Sequence, residues 1–342
     1  MMRAGIQAVV EGRHLSEAEA MGVMTEIMEG AATPAQIAAF LIGLRVKSES
    51  VAEITGCARV MRDKATFIRT PADSTPVDTA GTGGDAAGTF NISTAAAFVA
   101  AGAGVVMAKH GNRAASSKCG SADVLEALGV DIALEPDGVA AAIAEVGIGF
   151  LFAPALHGAM RHAIGPRREI GVRTIFNILG PLTNPAHARH QLVGVYDGKL
   201  TPVLAAVLHN LGAERAFVVH GSDGLDELTT TSATTVSELR RGQVHTYEVH
   251  AEDFGLARAR PADLQGGDAA YNADLVSRIL GGEASPQRDI VLLNAAAAIA
   301  AGTPDQGIAD CLPRARESLE SGGALAKLEQ LREFTQQWSP TS

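Results

Sequence analysis

Four short stretches concentrate the residue types that hold anions and cations. The first, Gly81-Thr82-Gly83-Gly84-Asp85, follows the strand-like Val77-Asp78-Thr79 and leads through Thr89 to Asn91-Ile92-Ser93-Thr94, where an apolar helix starts. Glycine has no Cβ, so successive N–H groups can converge on one point and a phosphate can approach them closely. Asn91, Ser93 and Thr94 stand where the helix begins, so their side chains, the free N–H groups and the helix dipole favour an anion there. Alone, the cluster equally fits a tight turn with ordinary N-capping. It is neither GxxxxGK[ST] nor GxGxxG, so P-loop ATPase and Rossmann dinucleotide sites have no support.

The second stretch, Lys109-His110-Gly111-Asn112-Arg113, ends the predicted strand Gly104–Met107. Ser116, Ser117 and Lys118 follow, and Gly120-Ser121 opens a predicted helix Ala122–Leu128. Cations, hydroxyls and glycines then gather at a strand's carboxyl end, where open α/β sheets bind ligands. A solvated basic loop has the same composition, and His110 by itself reads more readily as a structural hydrogen-bonder than as an acid or base. The third stretch runs from His157 through Arg161, His162, Arg167 and Arg168 to Arg173. One guanidinium here could fork onto a small carboxylate, with the others on a solvated helix face. The fourth, Asp223-Gly224-Leu225-Asp226-Glu227, follows the predicted strand Ala216–Val219. Adjacent carboxylates repel unless a cation or a helix terminus relieves them. Hard oxygens suit Mg²⁺, which keeps waters and shares phosphate oxygens. An Asx turn with a surface glutamate is the plainer reading of that loop in isolation.

The elements that must position these stretches can be read from punctuation and texture. Ser16 with Glu19, Thr33 with Gln36 and Ser50 with Glu53 form three capping boxes, so the first 65 or so residues read as a helical domain of three capped helices. After Pro71, apolar β-type runs alternate with Ala-rich helices (Ile92–Ala101, Pro202–Leu211), which predicts an α/β layer with a central, mostly parallel sheet. The expected division is a small helical domain over 1–70, to which a segment near 161–185 returns, and a large α/β domain over 71–342. The tail from Ser318 to Trp338 reads as an exposed last helix. The run Ala95–Ala108 is too short to span a bilayer and reads as a buried helix entering a strand.

Composition sets the limits. Of 342 residues, 46% are hydrophobic and 19% charged, enough for a packed core. The net charge of −10 argues against a surface that coats nucleic acid. Seven Lys/Arg and seven Asp/Glu lie between Lys109 and Arg173, so the remaining residues carry the whole excess. Three cysteines with no CxxC predict neither a disulfide framework nor a zinc site, and the N-terminus shows no long apolar segment. A cytoplasmic location without membrane attachment is the expectation.

GTGGDAAGTFNIST, KHGNRAASSKCGSADVLEALG, REIGVRTIFNILGPLTNP and DGLDE occur in this order and spacing. Together they resemble the anthranilate phosphoribosyltransferase family of tryptophan biosynthesis, over essentially the whole chain. The resemblance implies a nucleoside phosphorylase-like fold, with a small helical domain joined to a large α/β domain, and a homodimer joined through the helical domains. It implies transfer of the phosphoribosyl group of 5-phosphoribosyl 1-pyrophosphate to the amine of anthranilate, with Mg²⁺ as cofactor. By the same resemblance, Gly81, Gly84, Asp85, Thr89, Asn91, Ile92, Ser93 and Thr94 would hold the donor. Lys109, His110, Gly111, Asn112, Arg113, Ala114, Ala115, Ser116, Ser117 and Ser121 would complete the cradle. Gly81, Asn112 and Arg167 would meet anthranilate, and Ser93, Asp226 and Glu227 would hold the metal. No residue is assigned as acid or base. Association with a glutamine amidotransferase (anthranilate synthase) is left open. His157 is followed by Gly158 where many members carry proline. Two other readings are pyrimidine nucleoside phosphorylase, against which KHGN and DGLDE count, and nucleic-acid-binding relatives, against which the acidic charge and intact DGLDE count.

Overall fold

The computed structural model describes residues 1–85, 87–114 and 118–338. Four helices come first: α1 (Met2–Val10), α2 (Glu17–Met28), α3 (Pro34–Lys47) and α4 (Val51–Lys64). All three capping boxes form. α1 adds a fourth helix to the three read from caps. It starts without a side-chain cap, so it carries no such mark in the sequence. Glu53 does more than cap α4. Its buried carboxylate accepts from the N–H groups of Leu15 and Ser50, each at 2.8 Å, and pairs with Lys47 Nζ at 2.8 Å.

The chain then alternates through β1 (Val77–Asp78), α5 (Ile92–Gly102), β2 (Met107–Gly111), α6 (Ser121–Ala127), α7 (Pro136–Glu145) and β3 (Ile148–Phe152). Next come α8 (Ala153–Leu156), α9 (Arg161–Ile170), α10 (Phe176–Leu179), β4 (His190–Gly194), α11 (Leu200–Asn210) and β5 (Arg215–Gly221). A hairpin of β6 (Thr234–Arg240) and β7 (Gln243–Val249) precedes α12 (Ala269–Leu280), α13 (Pro286–Gly302), α14 (Ile308–Glu320) and α15 (Gly323–Gln337).

The sheet has the order β3-β2-β1-β4-β5-β6-β7. Its first five strands in that order are parallel, and β6 and β7 are antiparallel. From β1 the chain fills one side with β2 and β3, then crosses to the other side for β4 and β5. The strand order therefore reverses at β1, where α/β sheets open a crevice at their carboxyl ends.

Because successive strand residues point to opposite faces, the sheet feeds two cores. Phe217 and Val219 of β5 pack with α5 and α13, whereas Ala216 and Val218 pack with the helical layer. The segment after Arg161 joins that layer: Ala163, Phe176 and Leu179 share a core with Met24, Ile27 and Phe40. β2 begins at Met107 rather than Gly104, because Gly104 adopts φ +88° in the turn that leaves α5. The expected exposed last helix is instead the end of α14 and a separate α15, broken at Gly322. α15 buries Ala324, Leu328 and Leu331 in the core that holds α5.

Candidate active site

Loops leaving β1, β2 and β5 meet the α9–α10 region around one cavity of about 420 Å³. The loop after β1 is held at successive residues. Thr82 N–H donates to the Gly194 carbonyl at 2.8 Å, Gly83 N–H donates to Asp226 Oδ2 at 2.7 Å, and Tyr196 N–H donates to Thr82 Oγ1 at 3.1 Å. Gly83 and Gly84 adopt φ +63° and +77°, a region strained for other residues. Gly194 has a different constraint. A Cβ there would stand 1.5 Å from the Asp226 carbonyl oxygen, so only glycine lets the loop after β5 lie across the end of β4.

The two halves of that last loop serve different ends. Asp223 forms the Asx turn, accepting from Leu225 N–H at 3.2 Å, from Thr229 Oγ1 at 2.7 Å and from the Thr231 hydroxyl. Asp226 and Glu227 turn into the cavity. Burial, then the charge of neighbouring Asp85, pushes Asp226 up to about 7. Burial, then the charge of Asp226, pushes Glu227 well above the usual carboxylate range. Glu227 Oε1 accepts from Ser93 N–H at 3.2 Å, which brings the start of α5 to the acidic pair. Among the described residues, no three His, Cys, Asp or Glu side chains cluster as metal ligands, so the acidic pair is not part of a closed protein cage.

At β2 the solvated-loop reading fails for the first two residues of the stretch, while Asn112 and Arg113 are exposed. Lys109 and His110 lie within the strand and are buried. Lys109 Nζ donates to the Thr79 carbonyl at 3.2 Å and to Thr79 Oγ1 at 3.1 Å, and reaches Ser93 Oγ at 3.5 Å. Its position comes from β2, because His110 N–H donates to the buried carboxylate of Asp78 at 3.0 Å. His110 Nε2 and His157 Nε2 lie 3.3 Å apart. Burial, then the neighbouring His157, pushes His110 down to about 3, and burial pushes His157 down to about 4. Both imidazoles are neutral at pH 7. Further along, Asn112 and Ser121 exchange hydrogen bonds at 3.2 Å. Arg113 pairs with Glu126 at 2.5 Å and with Asp123 at 3.1 Å, so acids of α6 offset its charge.

Of the residues singled out from sequence, Gly81, Gly84, Asp85, Thr89, Asn91, Ser93, Lys109 to Ala114, Ser121, Arg167, Asp226 and Glu227 line this cavity. Ile92 and Thr94 do not. Ile92 sits in the hydrophobic core and its N–H donates to the Phe90 carbonyl, while Thr94 is buried beside Phe98. On a helix, neighbouring positions face different ways, so a run of four cannot all point into one cavity. Ala115, Ser116 and Ser117 lie outside the described residues. Arg167 stands 5.0 Å from the Phe176 ring, half-buried, and burial lowers its pKa.

Sequence reasoning named Arg173 without its role at the loop, and missed the stretch Leu264–Gly266 altogether. Arg173 lies over the Tyr196 ring at 4.2 Å and donates to the Gly84 carbonyl, so the segment after α9 holds the glycine-rich loop. The stretch Leu264–Gly266 pairs with the other side of that loop: Gly266 N–H donates to the Gly88 carbonyl at 2.9 Å, and Thr89 bridges to Gln265. Gly266-Gly267 was the available signal, a glycine pair far from any charged motif.

Two models of one family match the chain. Residues 73–325 match the "Glycosyl transferase family, a/b domain" and residues 4–65 the "helical bundle domain" of that family. A relative from Acetivibrio thermocellus named anthranilate phosphoribosyltransferase is 55% identical over 98% of this chain and 97% of its own length. The crystal structure of anthranilate phosphoribosyltransferase from Thermus thermophilus superposes with a TM-score of 0.91 at 43% identity, covering 97% of this chain and 99% of that one. The Saccharomyces cerevisiae enzyme in complex with PRPP and Mg superposes with a TM-score of 0.88 at 27% identity, covering 98% of each chain.

Proposed function

Since the chain belongs to the glycosyl transferase family, and within it to the anthranilate phosphoribosyltransferases, we propose that the cavity at the β1 crossover is the site of that reaction. The chain transfers the phosphoribosyl group of 5-phosphoribosyl 1-pyrophosphate to the amine of anthranilate, releasing pyrophosphate, a step of tryptophan biosynthesis. One observation supports the location above the others. A glycine-rich loop, a helix start, a buried lysine and a buried acidic pair face one space at the sheet's carboxyl edge.

The donor is multiply anionic. The glycine-rich loop, the first turn of α5 and Lys109 supply the N–H, hydroxyl and ammonium donors that grip it. Asp226, Glu227 and Ser93 fit Mg²⁺: hard oxygen donors, with two carboxylates whose burial and mutual repulsion a cation relieves. The bound ion supplies positive charge to offset the leaving pyrophosphate. The chain's own part is to hold the donor's anionic groups with fixed dipoles while negative charge grows on pyrophosphate. Arg167 orients the acceptor carboxylate, and Asn112 and Gly81 line the same approach. The acceptor's aromatic amine is unprotonated at neutral pH, and burial, which lowers His110 to about 3 and His157 to about 4, makes both imidazoles weak bases. No side chain is therefore assigned as a strong base, and positioning carries the acceptor half of the reaction.

The assay is loss of anthranilate fluorescence on adding 5-phosphoribosyl 1-pyrophosphate with Mg²⁺. Arg167→Ala is expected to raise KM for anthranilate about tenfold or more and leave that of the donor nearly unchanged. An equal rise in both would remove Arg167 from the acceptor site.

We assign the assembly as a homodimer through the helical layer. Val10 is 69% exposed and Val46 81%, and with Ile42 they form an apolar concavity on α1 and α3 that suits a self-complementary two-fold contact. Val46→Asp is expected to shift the sedimenting species toward monomer. Among the described residues no helix is long and apolar enough to cross a membrane. The three buried free cysteines suit the reducing cytoplasm, where we place the reaction.

A further inference from the structure

α5 begins at a residue type that normally closes its own helix. An asparagine N-cap usually accepts from the N–H groups two or three residues on. Asn91 makes no such bond among the described residues, which include the whole first turn. Its side chain is engaged elsewhere. Oδ1 accepts from Asn272 Nδ2 at 3.0 Å and from the Cys119 thiol at 3.3 Å, and Nδ2 donates to the Cys119 carbonyl at 3.3 Å.

Asn272 is itself fixed. It is buried in the first turn of α12, and Gly267 N–H donates to its Oδ1 at 2.8 Å. The chain just before it runs against the residues that lead into α5. A Cβ at Gly266 would stand 2.6 Å from Phe90 N, so the two backbones touch.

We infer that Asn272 is a positioning residue for the phosphoribosyl pyrophosphate site: it draws the Asn91 side chain away from its own helix and leaves Thr94 N–H to a phosphate, while Ile92 N–H stays with the Phe90 carbonyl and Ser93 N–H with Glu227. The inference rests on the donor site proposed above. The role needs a donor at one atom and an acceptor at another, both pointing at fixed backbone and side-chain partners, which an amide supplies and a hydroxyl or alkyl group of similar reach does not. Without Asn272, only the weaker contacts with Cys119 hold the Asn91 side chain, and its Oδ1 can turn to cap Thr94 N–H in competition with the ligand.

The test is a double-mutant cycle. Binding of 5-phosphoribosyl 1-pyrophosphate with Mg²⁺ is read by calorimetry without anthranilate, alongside steady-state kinetics and thermal melting. Asn272→Ala and the milder Asn272→Ser should each weaken donor binding about tenfold, the size of a typical cap, and raise its KM in step. KM for anthranilate should stay within about twofold. In an Asn91→Ala background the same substitutions should add nothing, because no side chain remains to close the helix. Equal losses in both backgrounds, an equal rise in both Michaelis constants, unchanged donor binding, or failure of both Asn272 variants to fold would each overturn the role. Unsubstituted protein that binds the donor but never consumes anthranilate would overturn the reaction assigned above and leave this test standing. Unsubstituted protein that does not bind the donor would overturn both.

Discussion

Glu53 in the helical layer and the Asp226–Glu227 pair at the sheet edge are all carboxylates removed from water, yet they behave oppositely. Burial alone would push Glu53 up, but the N–H groups of Leu15 and Ser50 and the Lys47 ammonium outweigh it and leave the carboxyl below its ordinary value. Asp226 has one N–H donor and an acidic neighbour, and it is pushed up to about 7. A buried charge with its full set of partners holds three segments of chain together. A buried charge beside a like charge keeps a repulsion that its single N–H contacts, Gly83 to Asp226 and Ser93 to Glu227, do not offset, which is why the second arrangement reads as a site and the first as structure.

Removing each carboxylate should separate the two regions cleanly. Asp226→Ala with Glu227→Ala is expected to lower kcat/KM by about 10³-fold or more and to abolish the response to Mg²⁺ titration. Melting temperature should hold or rise, because a buried repulsion has been removed. A Mg²⁺ response that survives would take the pair out of the metal site. Glu53→Gln should do the reverse. Losing the charge leaves Lys47 buried and unpaired, at a cost of about 3 kcal/mol in denaturant unfolding. Activity per folded molecule should not change, and a loss of turnover in fully folded protein would erase the contrast.

His110 and His157 extend the comparison to bases. Their folded values of about 3 and about 4 lie below the unfolded value near 6.5. Between those limits the unfolded chain binds more protons than the folded one. Stability should therefore fall as pH drops from about 6.5 toward 4, by at most about 1.4 kcal/mol per pH unit for each group. This is the smallest of the three effects near neutrality. His157→Asn should flatten the decline in melting temperature over that range, and an unchanged slope would mean that the pair is not buried as a neutral unit.

Much of this was legible in the residues, for local reasons. The three capping boxes form because Ser or Thr and its partner three residues on satisfy helix-end N–H groups within one turn. The approach of Gly83, Lys109 and Asp226 to one edge was readable because each follows a predicted strand, and parallel strands deliver their carboxyl ends to the same side. α1 was not separable from its neighbours, since no cap marks its start. The final helix was misjudged because its apolar positions reveal a buried face only once α5 lies beside it.

The glycine, lysine and carboxylate motifs by themselves pointed to an anionic ligand and a divalent cation at one sheet edge, since residue types and their spacing limit which donors and charges can gather. The reaction came from the resemblance those motifs carry in their order. Only the tertiary structure decided how they divide the work. Asp223 closes a turn while Asp226 and Glu227 face the cavity, Thr94 points into the core, and Asn91 is held by Asn272, 181 residues away. Direction and partnership across such separations depend on which backbone lies against which, and spacing along the chain carries no record of that.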